Sequence, residues 1–409
     1  MHVLILSQYF WPENFRINDL AVSLSEKECR VTVLTGHPNY PEGRFFKGYG
    51  GWGKNKERYN EVIIRRVPIV PRGKGGPLML ILNYLSFVLS ASLLGPFLCR
   101  EKYDLIFVYE PSPITVGIPA IVLKKLKHLP IFFWVQDLWP ETLSAVGVVK
   151  SRRLLDLVGK MVGEIYAQCD RILIQSKTFR SSIEKYSSEP EKILYFPNSA
   201  EGLYECLLPD YESSFGQLMP SGFKVMFAGN IGAAQGFGTI LDAAELLKNH
   251  KDIHWVILGD GRMRSHVEED VKIRGLDSTF HLLGRYPLET MPQFFAFADT
   301  LLVSLKEDPI FSLTIPGKLQ SYLACGKPVI AALDGAGADV VRESGSGFVC
   351  SPENAAELSE TVLKMYSCSK EERKRMGVRG RSYFESHFEP TMLVQKLVQW
   401  MHADVNRTS

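Results

Sequence analysis

Residues 315–330, IPGKLQSYLACGKPVI, carry the strongest chemical signal in the chain. Thr314 is suited to cap a helix, and Pro316 to occupy its first turn, where a missing N–H costs nothing. Gly317 and Lys318 then place free amides and a cation at the positive end of the helix dipole, an arrangement that favours phosphate. Gly326-Lys327-Pro328 ends the helix, and VIAA opens a strand. Three further turns resemble this one in setting: Gly229-Asn230-Ile231-Gly232-Ala233-Ala234-Gln235-Gly236, Gly259-Asp260-Gly261-Arg262, and Gly284-Arg285-Tyr286-Pro287. Taken singly, each could be no more than a tight strand-to-helix turn. The turn that begins at Gly229 lacks the dinucleotide spacing G-x-G-x-x-G. Four such turns in one segment, with Ser321 a turn beyond Gly317, point to a nucleotide-bearing substrate.

The first half of the chain offers different chemistry. Asp137 follows the apolar run IFFWV and Glu141 lies one turn on; a carboxylate there could take a hydroxyl proton or orient a sugar. The plainer reading is a turn aspartate before Leu138-Trp139-Pro140. Glu13 and Arg16 follow the first apolar run, and His37, Asn39 and Tyr40 follow the second, where they could line an acceptor pocket. A lone loop histidine is more often structural. Trp11 and Trp139 could stack on a sugar, whereas Trp134 lies inside a strand and reads as core.

These residues need a scaffold of alternating strands and helices. The runs HVLILS, RVTVLT, VIIRRV, DLIFVY, IFFWV, RILIQ and KILYF predict strands in the first half; KVMFAG, HWVILGDG, FHLLG, TLLVSL, KPVIAAL and GFVC predict them in the second. Helices are expected near 17–28, 77–98, 114–127 and 151–168. In the second half they fall near 238–248, 263–274, 288–297, 338–343 and 355–366. This rhythm implies an α/β fold of two doubly wound parallel sheets. The expected domains are 1–198 and 223–390, joined by an irregular linker over 199–222, with a last helix near 391–409 packing back on the first domain. In such sheets ligands lie beyond the carboxyl ends of the strands, so the default site is a cleft faced by both.

With 409 residues, two domains are the natural expectation. A net charge of +2 argues against nucleic acid as the main partner. Seven scattered cysteines without a Cys-x-x-Cys pair suggest reduced thiols and no structural zinc. The start, MHVLILS, reads as a strand rather than a secretory signal. Residues 77–98 contain no charged side chain and have roughly the length of a bilayer span. They read first as a buried helix whose polar side carries Asn83, Ser86, Ser90 and Ser92. The second reading is an interfacial helix with flanking basic residues on anionic lipid, and the third a span.

Set in order, FAGNIGAAQG, LGDGRM, HLLGRY, FADTLLVSL and YLACGKPVI resemble the family 4 glycosyltransferases, which have the GT-B fold. SQYFWPENFR, TGHPNYPEG, NYLSF and WVQDLWPET in the first half resemble enzymes of bacterial O-antigen, capsule and colanic-acid assembly, including N-acetyl-L-fucosamine transferases. The resemblance implies metal-independent transfer, with retention, of a sugar from a UDP-sugar, with no cofactor. The donor would lie on the second domain, held by Gly229, Asn230, Gln235, Gly259, Gly261, Arg262, Arg285, Tyr286, Thr314, Pro316, Gly317 and Ser321. Lys318 would stabilise the leaving diphosphate. A lipid-linked saccharide would be the acceptor, with the protein cytoplasmic and peripheral at the inner membrane face. The pattern is incomplete: Asn230 and Gln235 replace the family's usual Arg and Lys, and Leu313 and Ser321 stand where glutamates are usual. A missing carboxylate at 313 suggests a donor with fewer hydroxyls, such as a deoxy-acetamido hexose. A nucleotide-sugar 2-epimerase and a non-catalytic transferase-like subunit are the alternatives.

Overall fold

The computed structural model describes all residues except 52, 146–150 and 409, and of 145, 407 and 408 the backbone only. It divides into one unit of Met1–Pro197 with Thr391–Ser409 and another of Asn198–Pro390. The described part of the terminal helix, Pro390–Thr408, contributes Leu393, Leu397 and Met401 to the first unit's core, while residue 409 lies outside the description. Asp404 forms an ion pair with Arg171 there. The stretch expected to be a linker is folded onto the second unit, where Ala200 and Tyr204 are buried in its core.

Eight strands form the first sheet: β1 (His2–Leu6), β2 (Arg30–Gly36), β3 (Lys56–Tyr59), β4 (Val62–Val67), β5 (Leu105–Glu110), β6 (Ile131–Val135), β7 (Arg171–Ile174) and β8 (Ile193–Tyr195). Their order is β3-β4-β2-β1-β5-β6-β7-β8, parallel except for β3. Strands β1, β5 and β6 are buried along their whole length, as expected of strands covered on both faces. The second sheet holds β9 (Phe223–Ala228), β10 (Ile253–Leu258), β11 (Phe280–Gly284), β12 (Thr300–Ser304), β13 (Val329–Ala332) and β14 (Gly347–Cys350), ordered β11-β10-β9-β12-β13-β14 and all parallel. The register slips between Ile257 and Leu258, so that Leu258 faces Gly284 rather than Leu283. That bulge turns the carboxyl end of β11 at the glycine.

Beyond the short helices Glu141–Ala145, Phe179–Ile183 and Pro309–Leu313, two long helices differ from expectation. Lys370–His387 was not foreseen because it lacks an apolar stripe: its buried positions include Gly377 and Gly380. A Cβ at Gly377 would lie 2.0 Å from the Gly326 carbonyl, so glycine, not a hydrophobic side chain, lets this helix close on the donor helix end. The other is Pro77–Leu98, which corrects the buried-helix reading. Its polar side is the one turned inward. Asn83 is fully buried, receives a hydrogen bond from Gln8 Nε2 at 2.7 Å and donates to the Val70 carbonyl at 2.6 Å. Ser86 accepts from Val70 N, and Ser90 donates to the Pro68 carbonyl. The apolar stripe faces out instead, with Leu78, Leu89, Leu93 and Phe97 each more than 60% exposed and Ile81, Leu82 and Leu85 exposed beside them.

Candidate active site

In the second unit the glycine turns lock together through backbone. Gly229 N donates to the Leu258 carbonyl, Ile231 N to Asp260, Gly259 N to Gly284 and Met263 N to Ile231. Gly229 and Gly259 have φ of +145° and +142°, a region closed to ordinary side chains. A Cβ on Gly259 would lie 1.8 Å from the Gly229 carbonyl, and one on Gly261 2.3 Å from that of Ile231. Three loops are thus stacked main chain on main chain at one end of the sheet.

Lys318 meets this stack from the helix Gly317–Ala324. That helix begins at Pro316, not Thr314, and has no side-chain cap. Thr314 instead ends the preceding helix Pro309–Leu313, with its hydroxyl donating to the Phe311 carbonyl. Gly335, at φ +63°, packs where a Cβ would lie 2.0 Å from the Ser312 carbonyl, and Gly337 lies against Pro316. Together they fix the helix start. The Lys318 stem is half-buried, but its Nζ is sealed from solvent, has no hydrogen-bond partner among the described residues and sits 3.7 Å from the Phe227 ring centroid. Nζ also lies 3.1 Å from the place a Cβ on Gly229 would occupy. Burial lowers its pKa to about 7, because no anion offsets the lost hydration. An unpaired buried ammonium is costly, and an incoming anion would remove that cost.

Other donor-side residues fare unevenly. Asn230 and Gln235 flank Gly232, and Gln235 Oε1 is buried without a partner. Arg262 and Arg285 are exposed, and no described contact brings either to Lys318. The Tyr286 ring packs 4.6 Å from Phe294, so packing sets its position. Ser321 is buried, with its hydroxyl donating back to the Gly317 carbonyl at 3.5 Å. Lys306 went unnoticed in the sequence. Its backbone N–H donates to the Ala234 carbonyl, and its side chain lines, with Gly232 and Gly236, a cavity beside the first turn. Its one signal is its place just past the carboxyl end of β12.

In the first unit side chains, not backbone, join the strand ends. Glu13 is buried and its Oε1 accepts from Asn39 N and Tyr40 N, both at 2.7 Å. Burial raises its pKa to about 7 despite these amides. Asn39 is buried, donating to the His37 carbonyl and accepting from Arg72 N. His37 packs against the edges of Phe45 and Tyr49; burial, then the charge of Arg66, lower its pKa. Glu13, His37 and Asn39 therefore build the wall of a site rather than its open face. The Tyr40 ring is the exposed one of the group. Arg16 opens the helix Arg16–Glu26, and its charge partly offsets the burial that raises the Tyr109 pKa. Of the tryptophans, Trp134 is core, donating to the Phe196 carbonyl, and Trp11 stacks on Tyr59.

Asp137 follows β6 and accepts a hydrogen bond from the Thr142 hydroxyl. Burial raises its pKa, with Thr142 and Ser112 opposing the shift. Its backbone N–H points to Oε2 of Glu110 at 3.4 Å. Glu110 is completely buried, its Oε1 has no hydrogen-bond partner among the described residues, and its pKa is driven well up by burial and then by the Asp137 charge. Burial and the nearby Asp137 charge together favour a neutral Glu110 carboxyl. Glu110 was missed because YEPSP reads as a strand ending in an ordinary turn. Glu141 starts a short helix 3.6 Å from Lys185 and is not brought into this pair by any described contact.

Comparison with known proteins assigns both units. A glycosyl transferase 4-like domain matches residues 14–199, and a glycosyl transferases group 1 domain matches residues 222–368. The chain belongs to the glycosyltransferases. WbjE of Pseudomonas aeruginosa, named as a glycosyltransferase, is 28% identical over 60% of this chain and 63% of its own length. WcaI of Escherichia coli, named for colanic acid biosynthesis, is 22% identical over 80% and 82%. The chain thus spans just under two thirds of WbjE and most of WcaI. Among solved structures, Anabaena HepE in complex with UDP and glucose superposes with a TM-score of 0.70 at 14% identity, covering 98% of this chain and 99% of that one. The glycosyltransferase has the GT-B fold.

Proposed function

We propose that this glycosyltransferase moves a sugar, with retention, from a UDP-sugar held by the second unit to a lipid-linked saccharide bound by the first. The observation that carries the reading is Lys318: a buried, unpartnered ammonium at an uncapped helix start, under the glycine turn where a diphosphate could approach main chain. As the donor bond breaks, charge develops on the diphosphate, and a preorganised cation with helix amides stabilises it without moving. The departing phosphate can itself take the acceptor proton, so the chemistry needs neither a protein nucleophile nor a bound metal. UDP as the carrier is supported by the UDP and glucose of HepE. A deoxy-acetamido hexose such as N-acetyl-L-fucosamine fits the leucine at 313. Surface-polysaccharide assembly, of the O-antigen or capsule kind, is supported by the name of WcaI.

The helix Pro77–Leu98 supports a peripheral membrane location at the inner face. Burying one large apolar side chain is worth roughly 1.5–3 kcal/mol. Seven on one outward stripe therefore supply on the order of several kcal/mol even when half immersed. Exposed Lys74, Arg100, Lys102 and Lys125 lie before, after and beyond it, as anionic lipid would require.

Incubating the purified protein with individual UDP-sugars and a lipid-linked acceptor tests the reaction. Transfer supports it; interconversion of UDP-sugars without transfer, or binding without turnover, sinks it. Flotation with anionic vesicles at low salt tests the helix. A Leu85→Glu/Leu89→Glu variant should stay at the bottom of the gradient.

A further inference from the structure

The side chain of Arg72 lies on two tyrosines of the first unit. Among the described residues it has no carboxylate within ion-pair distance. Its guanidinium lies 5.7 Å and 5.1 Å from the ring centroids of Tyr9 and Tyr40, and Nη1 donates to the Tyr9 hydroxyl at 3.1 Å. Its backbone is held by Asn39, whose loop is pinned in turn by Glu13. The Tyr84 hydroxyl, from the Pro77–Leu98 helix, faces Tyr9 and Ser112 and is close enough to sense both Arg72 and Asp137.

Simple packing does not account for this. Tyr9 and Tyr40 already pack on Phe15, at 5.0 and 5.3 Å, and would be ordered without a cation. A guanidinium laid on aromatic faces keeps a rigid fork of N–H donors, which matches the oxygens of a phosphate better than any sugar hydroxyl. Its place in the chain adds the second constraint. Arg72 lies five residues before the helix whose apolar stripe faces outward, and Gly73 beside it lies against Met79 in that helix's first turn, so the loop that carries the guanidinium sits at the start of a face suited to lipid.

We propose that Arg72, with the hydroxyl of Tyr84, binds the phosphate or diphosphate that joins the acceptor saccharide to its lipid. This rests on the lipid-linked-acceptor reading above and narrows it: the enzyme recognises the phosphate linkage as well as the sugar. Placing that group near Tyr84 would bring the attached sugar toward Asp137.

The test is direct binding, which does not depend on turnover. Decyl diphospho-N-acetylglucosamine and decyl N-acetylglucosaminide, which lacks phosphate, are titrated into wild type, Arg72→Gln and Arg72→Lys. The wild type should prefer the diphosphate compound about tenfold or more. Arg72→Gln should abolish that preference while leaving the neutral glycoside and UDP binding unchanged. Arg72→Lys should restore part of it, since a point charge lacks the fork. An equal preference in wild type and Arg72→Gln, with both folded by circular dichroism, overturns the assignment. Flotation with phosphatidylglycerol vesicles separates the two sources of lipid phosphate. If Arg72→Gln loses vesicle binding but keeps the diphosphate preference, the site belongs to a headgroup and the acceptor assignment falls. Failure of transfer with intact, Arg72-dependent binding would count against the transferase reading alone.

Discussion

The two sheet ends are built from opposite materials. In the second unit, glycine turns lie main chain on main chain around one buried lysine, and hardly a side chain is involved. In the first, the loops are tied by Glu13, Asn39, Arg66 and the Glu110–Asp137 pair, with the guanidinium of Arg66 reaching the carbonyls of Gly36 and Trp11 as well as Glu57. The difference matches the ligands proposed for each end. A diphosphate is the same in every nucleotide sugar and can be met by amides and one charge. An acceptor varies in shape, and side chains must supply its recognition.

Glycine substitutions test that contrast most severely. Gly259→Ala puts a Cβ into a backbone carbonyl at positive φ, and should cost about 3–4 kcal/mol of stability. In the first unit, Gly36→Ala meets chiefly the flexible end of Ile69, at 2.9 Å, and should cost about 1 kcal/mol. Urea denaturation of both variants measures the gap. Equal losses would mean that the main-chain stack is not what holds the second unit's loops.

Next comes the lysine. Lys318→Ala should lower turnover ~10²-fold or more, equivalent to about 2.7 kcal/mol of transition-state stabilisation. Yet it should not lower stability, because the wild-type ammonium has no partner in the free protein. Its pKa of about 7 lies below the ordinary 10.5, so the unfolded chain binds more protons between those values. Wild-type stability relative to the variant should therefore rise with pH across that window. A variant that unfolds more readily yet keeps its rate would reverse both halves of the argument.

How much of this was legible depends on the same contrast. The second unit's turns are written in glycine, and a glycine that cannot carry a Cβ leaves a mark in sequence, as at Gly229, Gly259 and Gly261. The helix at 370–387 used glycine too, but in place of an apolar stripe, and so removed the periodicity that would have shown it. The first unit's site is made of long-range pairs such as Glu13 with Asn39 and Glu110 with Asp137, separations that no local pattern encodes. Residues 77–98 misled in another way. Their composition is clear, but which side faces the protein is decided by Gln8 and the Val70 backbone, partners outside the helix.

The carboxyl pair offers a milder test of the first unit. Glu110 is held protonated by burial and by Asp137, so the folded state keeps a proton that the unfolded chain releases above 4.5. That contribution to stability is present at low pH and is lost as pH rises toward the raised value. Glu110→Gln mimics the protonated form and removes the dependence, so its melting temperature should gain on wild type from pH 5 to pH 8. A constant difference in melting temperature across that range would remove Glu110 from the ionising pair.

The smallest effect is a single proton. If the donor diphosphate settles on Lys318, its anionic charge should restore the amine to its ordinary range near 10.5. Between about pH 7 and that value the free enzyme carries mostly neutral amine and the complex a charged one. UDP binding should then take up as much as one proton, most nearly a whole one around pH 8–9. Titration calorimetry in buffers of different ionisation enthalpy reads that number directly, and Lys318→Met supplies the blank. Uptake that persists in the blank would place the proton on another group. No uptake in either protein would mean that the diphosphate does not reach the lysine, and the contrast between a backbone-built donor end and a side-chain-built acceptor end would lose its central charge.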